Sequence, residues 1–199
     1  MNTIIKLIQN CVHVYYTLVN LLNLKLHSVQ FITRPRISGK LVLRNEGSCS
    51  LGKKNVFNCY IANVPGGLNK TSCIRVARNA RLEIGDFSGF TNAIVWCDHS
   101  IKIGSYCKIG TNTIIRDSDS HSLNYLERRN EVDRDIKVSP IIIGDDVFIG
   151  ANSIILKGVV IGNRAIVAAG SVVSKSIPED EIWGGNPARF IKRNQTYIS

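Results

Sequence analysis

An aliphatic residue returns at every sixth position near the C-terminal end of this chain. From residue 143 the sequence reads IGDDVF, IGANSI, ILKGVV, IGNRAI, VAAGSV and VSKSIP, so that each hexad begins with isoleucine or valine. A period of six fits neither an amphipathic helix nor a plain alternating strand. It predicts short strands joined by tight corners, in which three hexads form one triangular coil and successive coils stack by pairing their strands.

Two further positions of the hexad describe how such a coil would pack. A small or β-branched residue stands four positions after the aliphatic anchor, as at Val147 and Ser153, and would fill the remaining interior space. Glycine follows the anchor at Gly144 and Gly150, where we expect it to supply backbone freedom at the corner. The same pattern recurs earlier in the chain, starting from Ile103, Ile109 and Ile115 and more faintly from Ile84 and Leu51.

Residues 1–26 lie outside the repeat and predict an N-terminal helix. The stretch from Leu7 to Leu24 is rich in Leu, Val, Ile and Tyr, and its length approaches that of a membrane span. Asparagine, glutamine and threonine are interspersed, however. Packing on the β-helix or on a neighbouring subunit is therefore the first interpretation. An interfacial helix on a membrane, favoured by the basic charge, is the second, and a transmembrane span is the third.

A second departure from the repeat lies between Ile115 and Ile143, where the sequence becomes polar and dense in alternating charge. Solenoids tolerate insertions at their corners, and such loops commonly form a binding face. We therefore predict a loop extruded around residues 117–139. The chain then divides into the helix of residues 1–26 and a β-helix domain with a C-terminal tail over residues 27–199.

Charge and cysteine usage narrow the partners and the compartment. The chain has 25 Lys and Arg against 15 Asp and Glu, a net charge of +10 that favours an anionic ligand or membrane surface. Nucleic acid is disfavoured, because the basic residues are scattered and the aromatic residues do not interleave with them. The six cysteines form no C-x-x-C pair and follow no secretory cleavage pattern, which predicts reduced thiols in a cytoplasmic protein.

One of the four histidines, His121, stands where the regular coil gives way to the loop. An imidazole can accept a proton from an attacking hydroxyl near neutral pH. A nearby carboxylate such as Asp119 could hold the imidazole tautomer, or it could equally contact the substrate. Ser120 and Ser122 flank the histidine, but adjacency in sequence does not make either one a nucleophile.

The chain resembles the hexapeptide-repeat acetyltransferases, through the segment IGDDVFIGANSIILKGVVIGNRAIVAAGSVVSKSIPEDEIWGGNPARFIKR. The resemblance extends from about Ile84 to Lys192. It implies an all-β fold, the left-handed parallel β-helix, as a hexapeptide-repeat solenoid preceded by the N-terminal helix. The handedness comes from the resemblance alone, because crossover chirality would favour a right-handed winding.

The segment IRDSDSHS at residues 115–122 is similar to the matching segment of capsular polysaccharide and polysialic acid O-acetyltransferases. This resemblance implies direct transfer from acetyl-CoA to a sugar hydroxyl of a bacterial surface polysaccharide, such as capsule or O-antigen, with His121 as the general base. It also implies a homotrimer with the active site between subunits, and no metal. Asn92 matches the asparagine of the acceptor and oxyanion region in galactoside and maltose acetyltransferases, although its amide could simply satisfy a corner of the coil.

The same resemblance places the coenzyme along the last coils. Small side chains there would let the pantetheine approach the backbone, and basic ones could pair with its phosphates. The matching positions are Ala151, Ala169, Ser174, Lys175, Arg189 and Lys192. The run from Gly184 to Pro187 has a simpler interpretation as well, since it could merely turn the chain off the solenoid.

Two positions depart from the family pattern. Phe148 stands where polysialic acid enzymes have tryptophan, so the acceptor need not be a sialic acid, and Ser122 replaces the proline that commonly follows the histidine.

Other functions remain open on the same scaffold. They are a sugar or small-molecule N-acetyltransferase and a non-catalytic β-helix. A γ-class carbonic anhydrase is disfavoured, because it needs three histidine ligands and only His99 and His121 fall in the coil. A serine acetyltransferase is also disfavoured, since such enzymes carry a larger helical domain.

Overall fold

The computed structural model describes residues 2–59 and 71–194, and these ranges contain one α-helix and twenty β-strands. In chain order the elements are α1 (Asn2–Leu26), β1 (Gln30–Phe31), β2 (Arg36–Gly39), β3 (Val42–Asn45), β4 (Ser48–Leu51), β5 (Val56–Cys59), β6 (Cys73–Val76), β7 (Arg81–Ile84), β8 (Gly89–Thr91), β9 (Ile94–Cys97), β10 (Ser100–Ile103), β11 (Lys108–Ile109), β12 (Ile114–Arg116), a 3-10 turn (Glu127–Arg129), β13 (Ile141–Ile143), β14 (Phe148–Ile149), β15 (Ile154–Ile155), β16 (Val160–Ile161), β17 (Ile166–Val167), β18 (Val172–Val173), β19 (Glu181–Gly184) and β20 (Arg189–Arg193).

Every third strand pairs in parallel, so the strands form the three faces of a triangular prism. Sheet A contains β1, β4, β7, β10, β13 and β16, and sheet C contains β3, β6, β9, β12, β15 and β18. Sheet B contains β2, β5, β8, β11, β14 and β17, followed by β19 and an antiparallel β20. The predicted left-handed parallel β-helix is confirmed.

The hexad anchors form the core of the prism. Ile143 pairs with Ile103 on one side and with Ile161 on the other, so equivalent side chains stack along the axis. All three are buried, and each buried aliphatic side chain stabilises the fold by about 1.5–3 kcal/mol. The residue four positions later also faces inward, as predicted. Where that residue is Ser153, its hydroxyl donates to the carbonyl of Gly150 at 2.8 Å and is therefore satisfied.

The glycines after the anchors are required for space rather than for backbone freedom, so that part of the prediction is wrong. The left-handed backbone conformation occurs two residues later, at Tyr106 with φ 59° and at Asp146 with φ 58°. A Cβ at Gly104 would lie 2.5 Å from the carbonyl oxygen of Gly144 in the next coil, nearer than real Cβ atoms come. Adjacent coils therefore touch at this corner, and only a hydrogen atom fits between them.

The loop after β12 leaves the prism at the edge where sheet C turns into sheet A, which we name the C–A edge. Its outgoing and returning segments are hydrogen-bonded to each other where they leave the prism. Ser118 and Val138 form an antiparallel bridge, and the Ser139 N–H donates to the Asp117 carbonyl at 3.0 Å. The predicted loop around residues 117–139 is thus confirmed, and its base is held by backbone hydrogen bonds.

The C-terminal half of α1 packs on the first coil. The Asn20 side chain is buried, donating to the Gly39 carbonyl at 2.7 Å and accepting from the Leu41 N–H at 3.1 Å, and Leu24 is buried beside it. Leu18 and Leu22 on the outer face remain exposed. In the described ranges, no helix combines the length and the apolar character that crossing a membrane requires.

All six cysteines are free thiols, and four of them lie inside the coil. Burial raises the pKa of the Cys49 thiol to about 12. Cys107 occupies the inward hexad position and is fully buried. These thiols therefore serve as small apolar side chains.

Replacing Gly104 with alanine should lower the free energy of unfolding by about 1–3 kcal/mol, because the new methyl group overlaps the backbone of the next coil. Gly89→Ala is the matched control. Its Cβ would meet only the Lys108 side chain, at 3.8 Å. Urea unfolding at one protein concentration compares the two variants, and equal midpoints would contradict the steric explanation.

Candidate active site

An open pocket of about 640 Å³ lies at the C–A edge, between the outer face of sheet C and the base of the loop. Strands β6, β9 and β12 supply its floor, and the outgoing and returning segments of the loop supply its wall. The lining residues are Arg75, Trp96, Asp98, Arg116, Ser118, Asp119, Ser120, His121, Ile136 and Val138.

Asp117 anchors the floor of this pocket from below. It directly follows β12, and its side chain is fully buried. One carboxylate oxygen accepts the Asp98 N–H at 2.7 Å, and the other accepts the N–H groups of His99 and Ser100 at 2.8 and 2.7 Å. Three successive backbone donors in the turn between β9 and β10 thus converge on one carboxylate, which fixes the backbone that carries Asp98.

Two arginines sandwich a tryptophan on the outer face of sheet C. Parallel pairing places Arg75 and Arg116 in register with Trp96 on either side of it. Their Cζ atoms lie 4.8 and 4.6 Å from the ring centroid, within the range of cation–π attraction. Asp98 accepts from Arg75 at 2.5 Å and from the Trp96 indole N–H at 3.2 Å, which holds both side chains in place.

His121 stands at the rim of the pocket with 74% of its side chain exposed. Its Nδ1 lies 3.3 Å from Oδ2 of Asp133, a carboxylate that is 13% exposed. The Ser122 N–H donates to the same oxygen at 2.7 Å and tethers it. Ser120 has a φ of 66°, a conformation that non-glycine residues adopt at a cost and that turns the chain immediately before the histidine.

The sequence offers Asp119 either as the partner of the imidazole or as a contact of the substrate. Asp119 instead forms an ion pair with Lys157, with 2.8 Å between Oδ1 and Nζ. Asp133 was not singled out from the sequence, because it lies in the returning segment of the loop among many residues of alternating charge. Asp133 and His121 are in contact only because the loop folds back on itself.

Several buried polar atoms around this pocket have no hydrogen-bond partner among the described residues. They are Arg116 Nε, Asp119 Oδ2, Ser120 Oγ and Asp133 Oδ1. Most buried polar atoms in proteins are paired, because leaving one unpaired costs about 1–3 kcal/mol. A cluster of such atoms around an open pocket is typical of a binding site.

Asn92 lies at the other edge of sheet C, where sheet B turns into it, which we name the B–C edge. Its side chain is fully buried, and within the described ranges both amide atoms are unpaired. Asn112 and Asn152 occupy the matching corners of later coils, and the Asn112 amide donates to the Asn152 side chain at 3.2 Å. Within one chain Asn92 therefore does not line the pocket of His121.

The six predicted coenzyme positions are divided between the two edges of sheet C. Ala151 and Ala169 lie at the B–C edge, and the exposed Ser174 and Lys175 follow β18 at the C–A edge. Each strand of sheet C runs from one edge to the other, and at a rise of about 3.3 Å per residue the two edges are roughly 15 Å apart. The exposed Arg189 and Lys192 lie on β20, at the end of sheet B.

Cys97 is the thiol nearest to the anchoring carboxylate, with 3.6 Å between its Sγ and Oδ2 of Asp117. Burial, followed by the neighbouring carboxylate, raises the pKa of this thiol above its usual range. A protonated, buried thiol is a poor nucleophile. In residues 2–59 and 71–194, no group of three or more His, Cys, Asp or Glu side chains is arranged to hold a metal ion.

A family model described as the hexapeptide repeat of succinyl-transferase matches residues 140–175. This segment contains strands β13 to β18, the last two full coils of the prism.

Two curated relatives match parts of the chain. YvoF of Bacillus subtilis (strain 168), an acetyltransferase by name, is 34% identical over 111 residues, which are 56% of this chain and 60% of YvoF. The 2,3,4,5-tetrahydropyridine-2,6-dicarboxylate N-acetyltransferase of Staphylococcus aureus (strain JH9) is 53% identical over 55 residues, 28% of this chain and 23% of that enzyme. The chain thus spans less than two thirds of either relative.

Two solved structures share the fold. A hexapeptide-repeat acetyltransferase of Vibrio cholerae O1 biovar eltor, complexed with acetyl coenzyme A, is 34% identical with a TM-score of 0.55, over 66% of this chain and 72% of that chain. A polysialic-acid-specific acetyltransferase is 23% identical with a TM-score of 0.56, over 86% of this chain and 84% of that chain. The second likeness shows the fold alone.

Replacing Asp117 with asparagine should destabilise the protein by about 1–3 kcal/mol. In the variant, the side-chain NH2 group faces a backbone N–H that donates to the carboxylate in the wild type. Asp135→Asn removes an exposed carboxylate of the loop that pairs with Lys137, and it should leave stability nearly unchanged. Thermal unfolding followed by circular dichroism measures both variants. Matching midpoints would show that Asp117 does not anchor the floor.

Proposed function

This chain belongs to the hexapeptide-repeat acetyltransferases, and we propose that it transfers the acetyl group of acetyl-CoA to a sugar hydroxyl of a bacterial surface polysaccharide or its precursor. The observation that carries this proposal is the His121–Asp133 pair at the rim of an open pocket. The acetyl-CoA complex of the Vibrio cholerae relative supports the choice of donor.

His121 acts as the general base in this proposal. Asp133 faces Nδ1 and favours a proton there, which leaves Nε2 free to accept the proton of the acceptor hydroxyl. The hydroxyl oxygen then attacks the thioester carbonyl, the bond to sulfur breaks, and the proton passes from Nε2 to the departing thiolate. Transfer is direct in this proposal, since burial raises the pKa of both Cys97 and Cys73, the thiols on strands β9 and β6.

The serine that replaces the usual proline supports this assignment of Asp133. The Ser122 N–H donates to the oxygen of Asp133 that faces the imidazole, and proline has no N–H to donate. The loop of this chain therefore positions its own carboxylate beside His121. Asp119, paired with Lys157, is left to shape the pocket and to contact the acceptor.

We propose a homotrimer with shared active sites, and the positions of the two edges support it. His121 lies at the C–A edge, whereas Asn92, Ala151 and Ala169 lie at the B–C edge of the same face. One rigid prism cannot bring its own two edges together, but the B–C edge of a second copy can approach the C–A edge of the first. Contacts between unlike edges form a closed ring when the rotation between copies closes, and a threefold ring is the symmetry that the family resemblance implies.

The coenzyme binds along the last coils in this proposal, between two copies. Ala169, Ser174 and Lys175 are exposed there, so their backbone and side chains can be reached. Lys175, together with Arg189 and Lys192 on β20, supplies positive charge for the phosphates.

An N-acetyltransferase is the second candidate, and one observation favours it. The Staphylococcus aureus relative that is 53% identical over 55 residues is named for an amine acceptor. An amine also has to lose a proton, so His121 would serve equally well. Hydroxylamine under alkaline conditions distinguishes the two products, because it cleaves acetyl esters and leaves acetyl amides intact.

His121→Gln should lower kcat by about 10²- to 10⁴-fold, because the general base is lost, while the Kd for acetyl-CoA stays near that of the wild type. Asp133→Asn should lower kcat by a smaller factor and leave the same Kd unchanged. His13→Gln, which removes an exposed imidazole on α1, is the control. Turnover and calorimetric titration together test the assignment, and near-normal turnover of His121→Gln would refute it.

Calorimetric titration should show one acetyl-CoA site per subunit, and Lys175→Gln should weaken that binding about two- to fivefold at low salt. The difference should shrink as salt rises, because an exposed charge is screened. Lys102→Gln, an exposed lysine on sheet A, controls for net charge. A defect that is the same at every salt concentration would point to packing instead, and no binding to the folded protein would overturn the choice of donor.

A further inference from the structure

Arg116 is the one pocket arginine that has no carboxylate partner among the described residues. Arg75 forms an ion pair with Asp98 at 2.5 Å, and Lys157 pairs with Asp119 at 2.8 Å. Arg116 instead contacts the face of Trp96. Among the side chains that line the floor of the pocket, Arg116 is therefore the cation that pairs with no carboxylate in the described part of the chain.

The guanidinium of Arg116 is also incompletely hydrogen-bonded. Its Nε is buried and has no acceptor in the described part of the chain. A guanidinium presents its N–H groups in a planar fork that matches the two oxygens of a carboxylate. A buried donor on a charged group is expensive unless an acceptor arrives. Arg116 thus has both the charge and the free donor that an anionic ligand would use.

The orientation of Arg116 is set before any ligand binds. Trp96 supports its guanidinium from one side, and Arg75 supports Trp96 from the other. Asp98 holds Arg75 and the indole, and Asp117 holds the backbone of Asp98. These contacts hold the Arg116 guanidinium at a fixed place on the floor. The side chain therefore loses little conformational entropy when a ligand binds.

The opposite wall of the pocket suits the ring of a sugar. Ile136 and Val138 on the returning strand of the loop line it with aliphatic surface. Their side chains can cover the C–H face of a pyranose, while Asp119 and Ser120 offer an oxygen acceptor and a hydroxyl to its polar groups.

We propose that the acceptor is an acidic sugar whose carboxylate binds Arg116 while one of its hydroxyls meets His121. This proposal rests on the proposed acetyl transfer and names the substrate class of the same pocket. A phosphate of the coenzyme would offer similar anionic oxygens. However, Arg116 lies on β12, two strands before the predicted donor positions at the end of β18, and it shares its pocket with the base. The experiment separates the two sources.

The experiment uses two pairs of probe sugars that differ only at C6, galacturonic acid with galactose and glucuronic acid with glucose. Binding to the full-length protein is measured by calorimetry, and acetyl transfer by mass spectrometry of the sugar. Wild-type protein should favour the acid of at least one pair. Arg116→Gln should weaken the binding and kcat/KM of that acid about 10- to 100-fold while the KM for acetyl-CoA is unchanged.

Two further variants separate charge recognition from folding and from net charge. Arg116→Lys keeps the charge and loses the planar fork, so it should recover part of the preference for the acid. Arg44→Gln removes one positive charge from the same face of sheet C, at an exposed arginine that pairs with Glu46 outside the pocket. This control should bind the acidic sugar like the wild type.

Each result decides between named alternatives. Equal binding of acid and neutral sugar by the wild type, or an equal loss of both in Arg116→Gln, would overturn the acidic acceptor. A rise in the KM for acetyl-CoA alone would show that Arg116 contacts the coenzyme instead. If the acid binds through Arg116 but no sugar is acetylated, the acidic site stands and the proposed transfer function fails.

Discussion

The stacking of inward aliphatic side chains is the constraint on which the rest of this protein depends. Each coil must repeat the cross-section of its neighbour, so that Ile103, Ile143 and Ile161 lie on one line. That requirement fixes the register of every strand. It also brings adjacent backbones so close at Gly104 that a methyl group does not fit. Because the interior is occupied by this packing, the side chains that line the candidate site lie at the outer face of sheet C and at its corners.

The corners of the C–A edge show how a rigid coil supports a reactive site. The loop departs after β12. Asp117, the first residue of this corner, accepts three backbone N–H groups of the preceding coil. Farther out, Ser120 adopts a left-handed conformation and Asp133 closes on His121. The loop residues of the site are therefore tied by hydrogen bonds to the stacked coils, as the proposed base requires.

The same geometry gives sheet C two different edges and a charged face between them. The proposed base, His121, lies at one edge, and Asn92 with the two alanines of the predicted donor site lies at the other, which is why we propose a shared site between copies. Between the edges, Arg75, Trp96 and Arg116 stack across adjacent strands. Since Asp98 neutralises only one of the two arginines, the face retains a charge that suits an acidic acceptor.

The sequence by itself determined the features that are local or periodic. The hexads predicted the coil and its buried anchors, and the lapse in them predicted both the loop and the position of His121 at its base. Only the tertiary structure decided the rest. Asp133 meets His121 because the loop returns, and Trp96 meets Arg116 because successive coils pair in register. Periodicity specifies which residues face inward, but contacts between coils and across a loop depend on where distant segments are placed in space.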